Sequence, residues 1–423
     1  MKRLRQFWRY LWTSLWFLPS VLVLAAVLLA VLLVELGARV DSEALQRWPR
    51  LFGAGAAGSR AMLQVIATSM ITVAGVVFSI TIAALAQASS QYSSRVLRKF
   101  MSDRTNQLVL GVFVSIFVYC LVVLRTIRGG DEGAFVPSLA VLGGIVLSFV
   151  GIGFLIYFIH HIATSVQAAY IVAGVARETR GAIDHLFPQR LGEDPAADVV
   201  EPVAALLVER TAHPVPARHT GYIQSVDIDA LLAFARDRQL VVRMEQGIGD
   251  FAIEDIALVS LLPCHCDSMV VDDAVVEQLN QAYAIGRQRT VVQDAAFGIR
   301  QIVDVAVRAL STGINDTTTA VLCINHLAAI LVRLAQRHFE SPYRYEGVEL
   351  RVIACGPTFA DLLCGAFDEI RRNGAGHVTV AHRLLRALDQ LAGVTTGRQR
   401  RQAILDQALA LQEAVRRTIC APA

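Results

Sequence analysis

The sequence predicts a mainly α-helical membrane protein with four transmembrane helices and an α+β cytoplasmic domain. The cytoplasmic domain is predicted to combine a small strand-helix-strand-strand unit with a helical bundle. Three observations support this fold class. Hydrophobic residues make up 54% of the chain, which is high for a soluble protein. They concentrate in four long apolar runs before residue 160, and an alternating pattern typical of strands follows between residues 220 and 262.

The four apolar runs cover residues 15–34, 62–86, 108–124 and 135–159. A helix needs about 20 residues to cross a bilayer, so each run is long enough. The first run follows a basic segment as a signal peptide would, but it is long and has no convincing small-residue cleavage site. We therefore expect it to remain as an anchor.

The basic residues beside the four runs predict the orientation. Eight Lys and Arg residues flank the runs on the N-terminal side of the membrane, against six on the other side. This excess favours a cytoplasmic N-terminus. An even number of crossings then places the C-terminal region in the cytoplasm as well.

The sequence after the fourth run divides into further segments. Apolar periodicity continues without a breaker to about residue 187, which predicts one long helix that leaves the membrane. Prolines punctuate the region after it, and only one short strand is expected beyond residue 272, near Val352. The predicted domains are residues 1–163 (transmembrane), 164–218 (helical extension and linker), 219–263 (small α/β unit) and 264–423 (helical).

Composition excludes several functions. Lys2 and Lys99 are the only lysines, so nothing after residue 99 supplies a phosphate-loop or Schiff-base lysine. A net charge of +3 and the lack of a basic, aromatic pattern argue against nucleic acid as a partner. Three consecutive donors, Cys264, His265 and Cys266, cannot easily surround a zinc ion. We expect no metal, no cofactor and no enzymatic activity, because no catalytic constellation is readable.

The second apolar run carries small or hydroxylated residues at helical spacing on one face. These residues are Thr68, Thr72, Gly75, Ser79, Ala83, Ala86 and Ser90. Two interpretations stay open. Such a face allows close helix packing in a bilayer, and it also leaves room for water and offers oxygens to an ion in a pore.

Two further groups of polar residues are candidate sites. His160 and His161 lie where the fourth run leaves the membrane and are either a pH-dependent gate or a passive interfacial pair. Apolar spacing over residues 291–310 predicts an amphipathic helix that carries Arg300, Asp304 and Arg308 four residues apart.

The turn after that helix is predicted from its residue types. Gly313 is expected to be left-handed, and either Asn315 or Asp316 is expected to cap a helix over residues 317–337. The five polar residues Arg300, Asp304, Arg308, Asn315 and Asp316 have either a structural role or a role in contacting a ligand or a second subunit.

Three stretches resemble the signature segments of a bacterial family of predicted multi-pass membrane proteins that carry a domain of unknown function. They are VFSITIAALAQASSQYSSRVLRKFMSDR (77–104), GDFAI (249–253) and RTVVQDAAFGIRQIVDVAVRALSTGINDTTTA (289–320). The likeness covers nearly the whole chain. It implies a membrane protein and carries no catalytic or binding residues with it. The family pattern has prolines where this chain has Thr312 and Thr317, and their loss softens the turn without moving it.

These observations together predict a homo-oligomeric inner-membrane pore or gated ion channel. Its partners would be the lipid bilayer, further copies of the chain, and ions. The alternative is a membrane-anchored sensor or scaffold that binds a cytoplasmic partner without conduction. Conductance and the oligomeric state separate the two.

Overall fold

The computed structural model describes residues 16–39, 55–91, 104–128, 135–165, 167–187, 212–263, 271–291, 293–339, 341–347 and 349–419. The chain divides into two compact units, Met1–Tyr170 and Ile171–Ala423. The first is helical, and the second is an α+β unit, so the protein is mainly helical as predicted. The finer division into four segments stays a prediction.

The first unit contains four long apolar helices. They are α1 (Phe17–Arg39), α2 (Ala56–Gln91), α3 (Arg104–Thr126) and α4 (Ser138–Ser165). Each contains most or all of one predicted apolar run and is long and apolar enough to cross a membrane. Helix α3 packs against the other three helices and is the most deeply buried of the four.

Glycines bring these helices close together. A Cβ at Gly144 would lie 2.8 Å from Leu63 of α2, and one at Gly151 would lie 3.0 Å from Ile116 of α3. The hydroxyl of Tyr119, which is fully buried, donates to the carbonyl of Ala140 at 2.7 Å. The interior of the bundle is therefore filled by closely packed helices, as expected where backbones approach through small residues.

The prediction of one continuous helix from the fourth run to residue 187 is wrong. Helix α4 ends at Ser165, and α5 (Ala168–Leu186) begins after a break. At the end of α4 the hydroxyls of Thr164 and Ser165 both donate to the carbonyl of His161. Side-chain hydroxyls that share a helical carbonyl slightly destabilise a helix and favour bending at that turn.

In the described part of the second unit, eight strands form two sheets. They are β1 (His213–Pro216), β2 (Gly221–Val226), β3 (Leu240–Met244), β4 (Phe251–Ala252), β5 (Ala257–Pro263), β6 (Tyr283–Gly286), β7 (Tyr343–Glu346) and β8 (Glu349–Ile353). One sheet has the order β1-β5-β3-β8-β7, and the other has the order β4-β2-β6. Only the pairing of β3 with β8 is parallel among the described strands.

The strand-helix-strand-strand unit and the strand at Val352 are present, but the sheets are larger than the sequence predicts. The prediction of a single strand after residue 272 is wrong, because β6 and β7 also form there. Strand β1, in a segment that reads as a break, pairs with β5 from His213 to Pro216. Its prolines are tolerated because β1 is an edge strand.

The helices of the second unit complete its fold. Besides α5 they are α6 (Ile228–Arg238), α7 (Asp273–Gln281), α8 (Ala295–Ala309), α9 (Thr317–Ala335), α10 (Phe359–Gly374), α11 (Val378–Val394) and α12 (Arg398–Ile419). Helix α9 is a fifth helix long and apolar enough to cross a membrane. It packs against α8, α10 and α11. The count of four crossings therefore stays a prediction.

Candidate functional site

The stripe of small and hydroxylated residues on α2 lies on the surface of the chain. The six members whose side chains are described are all exposed: Thr68, Thr72, Gly75, Ser79, Ala83 and Ala86. The side chain of Ser90 lies outside the described part of the chain. A Cβ at Gly75 would meet nothing within 4 Å, whereas Gly144 and Gly151 of α4 are tightly packed. Within the described chain, close packing uses other small residues and leaves the stripe uncovered.

The stripe faces away from the core of its own bundle. Helix α2 buries Leu63, Ala67 and Met70, together with Ala74 and Val77, against the neighbouring helices. At about 100° per residue, the centre of the stripe lies about 160° around the helix from this buried face. Large exposed apolar residues, among them Ile71, Val76, Phe78, Ile80 and Ile82, flank it.

The hydroxyls in this segment are bonded to their own helix. Thr72 donates to the carbonyl of Thr68 at 2.8 Å, and Ser79 donates to the carbonyl of Gly75 at 2.9 Å. This arrangement satisfies each donor within an apolar environment. The hydroxyl oxygens keep lone pairs that can still accept hydrogen bonds from water. The stripe is thus compatible with a dry interface and with a wetted one.

The two histidines differ in environment. His160 is exposed, whereas His161 is half-buried and stacks on Tyr157 with ring centroids 6.0 Å apart. Both side chains lie in the last two turns of α4, beside the break before α5. A role in gating stays a prediction for both.

The structure separates the polar residues of α8 and the following turn into two groups. Arg300 pairs with Asp304 at 2.8 Å and also with Glu369 of α10, so it links two helices. Arg308 is exposed near the end of α8. The ion pair of Arg300 with Glu369 joins α8 to α10, and a ligand or subunit contact by these residues stays a prediction.

The turn after α8 differs in detail from its prediction. The left-handed residue is Asn315, with φ of 50°, and not Gly313. Asp316 caps α9 by accepting from the backbone N–H of Thr319 at 3.0 Å and from its hydroxyl at 2.6 Å. Asn is tolerated in the left-handed region, so Gly313 is not needed there. These hydrogen bonds lower the pKa of Asp316 below its usual range.

Two of the signature stretches meet at an ion pair that the sequence alone did not single out. Arg289 and Asp294 pair at 2.7 Å, and a Cβ at Gly249 would lie 2.6 Å from an atom of each side chain. Gly249 has φ of 94°, which suits glycine. The pair therefore covers the Cα of Gly249 and fastens the 247–250 turn to the start of α8.

Asp294 has a second structural role in this clamp. Its other carboxylate oxygen accepts from the backbone N–H of Phe297 at 2.9 Å, which caps α8. Burial raises the pKa of Asp294, and Arg289 together with the cap hydrogen bond opposes that rise. The periodicity of α8 could not reveal the clamp, because Gly249 lies 45 residues before Asp294 in the sequence.

The signature glycine Gly298 marks a close helix crossing. A Cβ there would lie 2.0 Å from the hydroxyl oxygen of Thr179 on α5, which is fully buried. The Thr179 hydroxyl donates to the carbonyl of Val175 at 2.8 Å. Among the described residues, no group of three or more His, Cys, Asp or Glu side chains is placed to hold a metal. The described part of the signature segment 289–320 thus contacts α5, α10 and the 247–250 turn.

Comparison with known proteins agrees with this description. Residues 12–390 match the family described as "Predicted membrane protein (DUF2254)". The chain belongs to the DUF2254 family. It is 35% identical over 361 residues to uncharacterized proteins of Mycobacterium tuberculosis (strains CDC 1551 / Oshkosh and ATCC 25618 / H37Rv) and Mycobacterium bovis (strain ATCC BAA-935 / AF2122/97). These matches cover 85% of this chain and 68% of each relative.

No solved structure matches the chain. The resemblance of the three quoted stretches to a family of predicted membrane proteins is thus confirmed. As a membrane protein of the DUF2254 family, the chain contacts the lipid bilayer. The descriptions of these relatives name no activity.

Proposed function

We propose that this DUF2254 protein assembles from several copies in the bacterial inner membrane and forms an ion-conducting pore. The stripe on α2 would line a path shared between the copies, and both termini would lie in the cytoplasm. The observation that carries the proposal is the exposure of the whole described stripe on the face opposite the bundle core. Small side chains and hydroxyl oxygens suit a hydrated path.

The length of the stripe supports this assignment. From Thr68 to Ala86 the helix rises about 27 Å, which is close to the hydrocarbon thickness of about 30 Å. A face of this length spans nearly the entire apolar layer. Hydroxyl groups and a glycine without a side chain make few favourable contacts with lipid tails. A neighbouring copy or water is therefore the better environment for this face.

A path within a single copy is not supported by the packing. Phe113, Ile116, Tyr119 and Phe158 are almost completely buried in the bundle interior. Interiors packed in this way leave few voids larger than a water molecule. Conduction therefore requires several copies, and the pore proposal includes self-association.

Ion flux into liposomes tests the proposal. Purified full-length protein should pass a monovalent cation or anion, and Ser79→Leu should reduce the flux at least about tenfold by narrowing the path. Ile152→Leu is the control, because Ile152 is 48% exposed on α4, away from the stripe. The proposal fails if empty and protein-containing liposomes leak equally under voltage, tension and pH steps.

A non-conducting sensor or scaffold is the second candidate. The observation that favours it is the pairing of Thr72 and Ser79 hydroxyls with carbonyls of their own helix, which lets the stripe pack dry. In that case copies would still associate through α2, and no flux would be measured. A cytoplasmic partner would then bind the second unit.

A further inference from the structure

We propose that the second unit carries a head-to-tail contact between copies, in which α12 of one copy binds the loop around β4 of the next. This inference rests on the proposed self-association and assigns two exposed surfaces to it. Each surface combines exposed apolar side chains with charged ones, and the charges of the two surfaces are opposite in sign. Both belong to the same compact unit.

The first surface, the β4 loop patch, consists of Phe251, Ile253 and Ile256. Their side chains are 48%, 50% and 52% exposed, although large apolar residues are usually buried. Glu254 and Asp255 are exposed between them, and neither forms an ion pair with a described residue. The patch is therefore apolar and acidic.

Local structure holds the β4 loop patch in place. Ala252, between two exposed members, is fully buried, and the N–H of Glu254 donates to the hydroxyl of Thr220 at 3.0 Å. Asp255 has φ of 66°, and its N–H donates to the carbonyl of Ala217 at 3.0 Å. The nearby Arg218 is paired with Asp273, so its charge does not cancel the acidic residues of the patch.

The second surface, the α12 stripe, consists of Arg398, Leu405, Leu409 and Arg416. At about 100° per residue these four fall within about 40° of one another on the helix. Leu405 and Leu409 are 55% and 62% exposed, and both arginines are exposed. Neither arginine forms an ion pair with a described residue.

The α12 stripe faces away from its own unit. Helix α12 buries Ile404, Gln407 and Leu411 against α10 and α11. Glu413 pairs with Arg417 outside the stripe. The stripe therefore presents two leucines between two cations, with no carboxylate among its members.

The two surfaces are complementary in both chemistry and sign. Three apolar side chains beside two carboxylates match two leucines beside arginines, and such pairing fixes register and excludes like-charged partners. Both surfaces are exposed within one copy, so neither covers the other there. A contact between different surfaces of identical copies is head-to-tail and closes into a ring when the rotation permits, which a shared pore requires.

Cross-linking between copies tests the contact. Full-length chains carrying Ile253→Cys and Leu409→Cys on differently tagged copies are reconstituted together and treated with a short bifunctional maleimide. A product joining the two tags is expected. The unchanged chain and an Ile314→Cys/Leu409→Cys pair give the background, because Ile314 is 47% exposed elsewhere in the same unit.

Charge reversal makes the test specific. Two double variants each reverse the charges of one surface: Glu254→Arg with Asp255→Arg, and Arg398→Glu with Arg416→Glu. Each should lower the yield of the cross-linked product about tenfold. A chain pair that carries all four changes should restore the yield to within about twofold of the yield without charge reversal. The contact is overturned if the product does not exceed the Ile314 background, or if charge reversal leaves it unchanged. It is also overturned if a single chain that carries both Ile253→Cys and Leu409→Cys forms the cross-link within itself to the same yield in nanodiscs that hold one copy. Protection of these two cysteines by lipid or by another protein in such nanodiscs would overturn it as well.

The flux assay decides the pore separately. A cross-linked product that joins the two tags, measured without ion flux, would support this contact and refute the pore. Ion flux without the cross-linked product would refute this contact and leave the pore proposal supported. The two proposals therefore fail in distinguishable ways.

Discussion

At the scale of single residues, the described parts of the signature segments 249–253 and 289–320 make close approaches and ion pairs. Gly298 admits the Thr179 side chain, and Gly249 admits the Arg289–Asp294 pair. Asp316 caps α9. These residues hold elements together, and the roles of both glycines depend on neighbours distant in sequence. Sequence periodicity could place them on helices and turns but could not identify those neighbours.

Gly298→Ala should destabilise the second unit by about 1–3 kcal/mol, because the added Cβ overlaps the Thr179 side chain. Gly365→Ala is the matched control, since Gly365 lies within α10 and its Cβ would meet nothing within 4 Å. That control should be neutral or stabilising by up to about 1 kcal/mol. Denaturant unfolding in detergent measures both, and equal effects would refute the close crossing.

Asp316→Ala should cost about 1 kcal/mol at neutral pH through loss of the α9 cap. The folded-state pKa of Asp316 is lowered by Thr319, so its stabilisation is present above the unfolded pKa and is lost as pH falls through the folded pKa. Unfolding curves measured from pH 7 down to pH 2 should therefore converge for the unchanged chain and the Asp316→Ala variant.

The control for the cap is Asp316→Asn, which keeps a capping oxygen without a titrating group. Its stability advantage over the Asp316→Ala variant should persist across the same pH range. A gap between the unchanged chain and the Asp316→Ala variant that does not change with pH would count against a capping role for the carboxylate.

At the scale of elements, the sequence predicted the helices better than the sheets. Long apolar runs specify α1 to α4, amphipathic spacing specifies α8, and the expected cap at Asn315 or Asp316 marks the start of α9. Strands β1, β6 and β7 have four residues each and are too short to show the alternating pattern of a strand. They form because neighbouring strands pair with them. The stripe on α2 was visible in the sequence, but its exposure depends on which faces the other helices cover.

The clamp between the 247–250 turn and α8 gives a prediction at this scale. Arg289→Ala should destabilise the second unit by about 3 kcal/mol at neutral pH, since it leaves the Asp294 carboxylate buried without its counter-ion. Burial already raises the pKa of Asp294, and removing Arg289 raises it further. The destabilisation should therefore shrink as the pH falls and the carboxyl becomes neutral in the folded state.

The control for the clamp is Arg218→Ala. Its ion pair with Asp273 is exposed, so this change should cost less than about 1 kcal/mol and vary little with pH. Chemical denaturation of both variants from about pH 8 down to about pH 4 provides the comparison. An Arg289 variant as stable as the Arg218 variant would show that the clamp does not stabilise the fold.

At the scale of the whole molecule, the membrane unit leaves a face of small and hydroxylated residues uncovered. The second unit exposes two surfaces of complementary charge. Composition and the apolar runs were sufficient to predict the membrane class. Whether copies meet, and through which faces, is decided by surfaces that come together only in the folded chain. Self-association through the exposed face of α2 would place the α2 stripes around a common axis.

The most direct test of that claim is the water accessibility of position 79 in native membranes. Ser79→Cys and Ile152→Cys, both exposed in a single copy, are treated with a membrane-impermeant, water-soluble thiol reagent, with the unchanged chain as background. A shared hydrated path predicts that Cys at position 79 reacts and that Cys at position 152 stays protected by lipid. Protection of both positions, or equal reaction of both, would contradict the account.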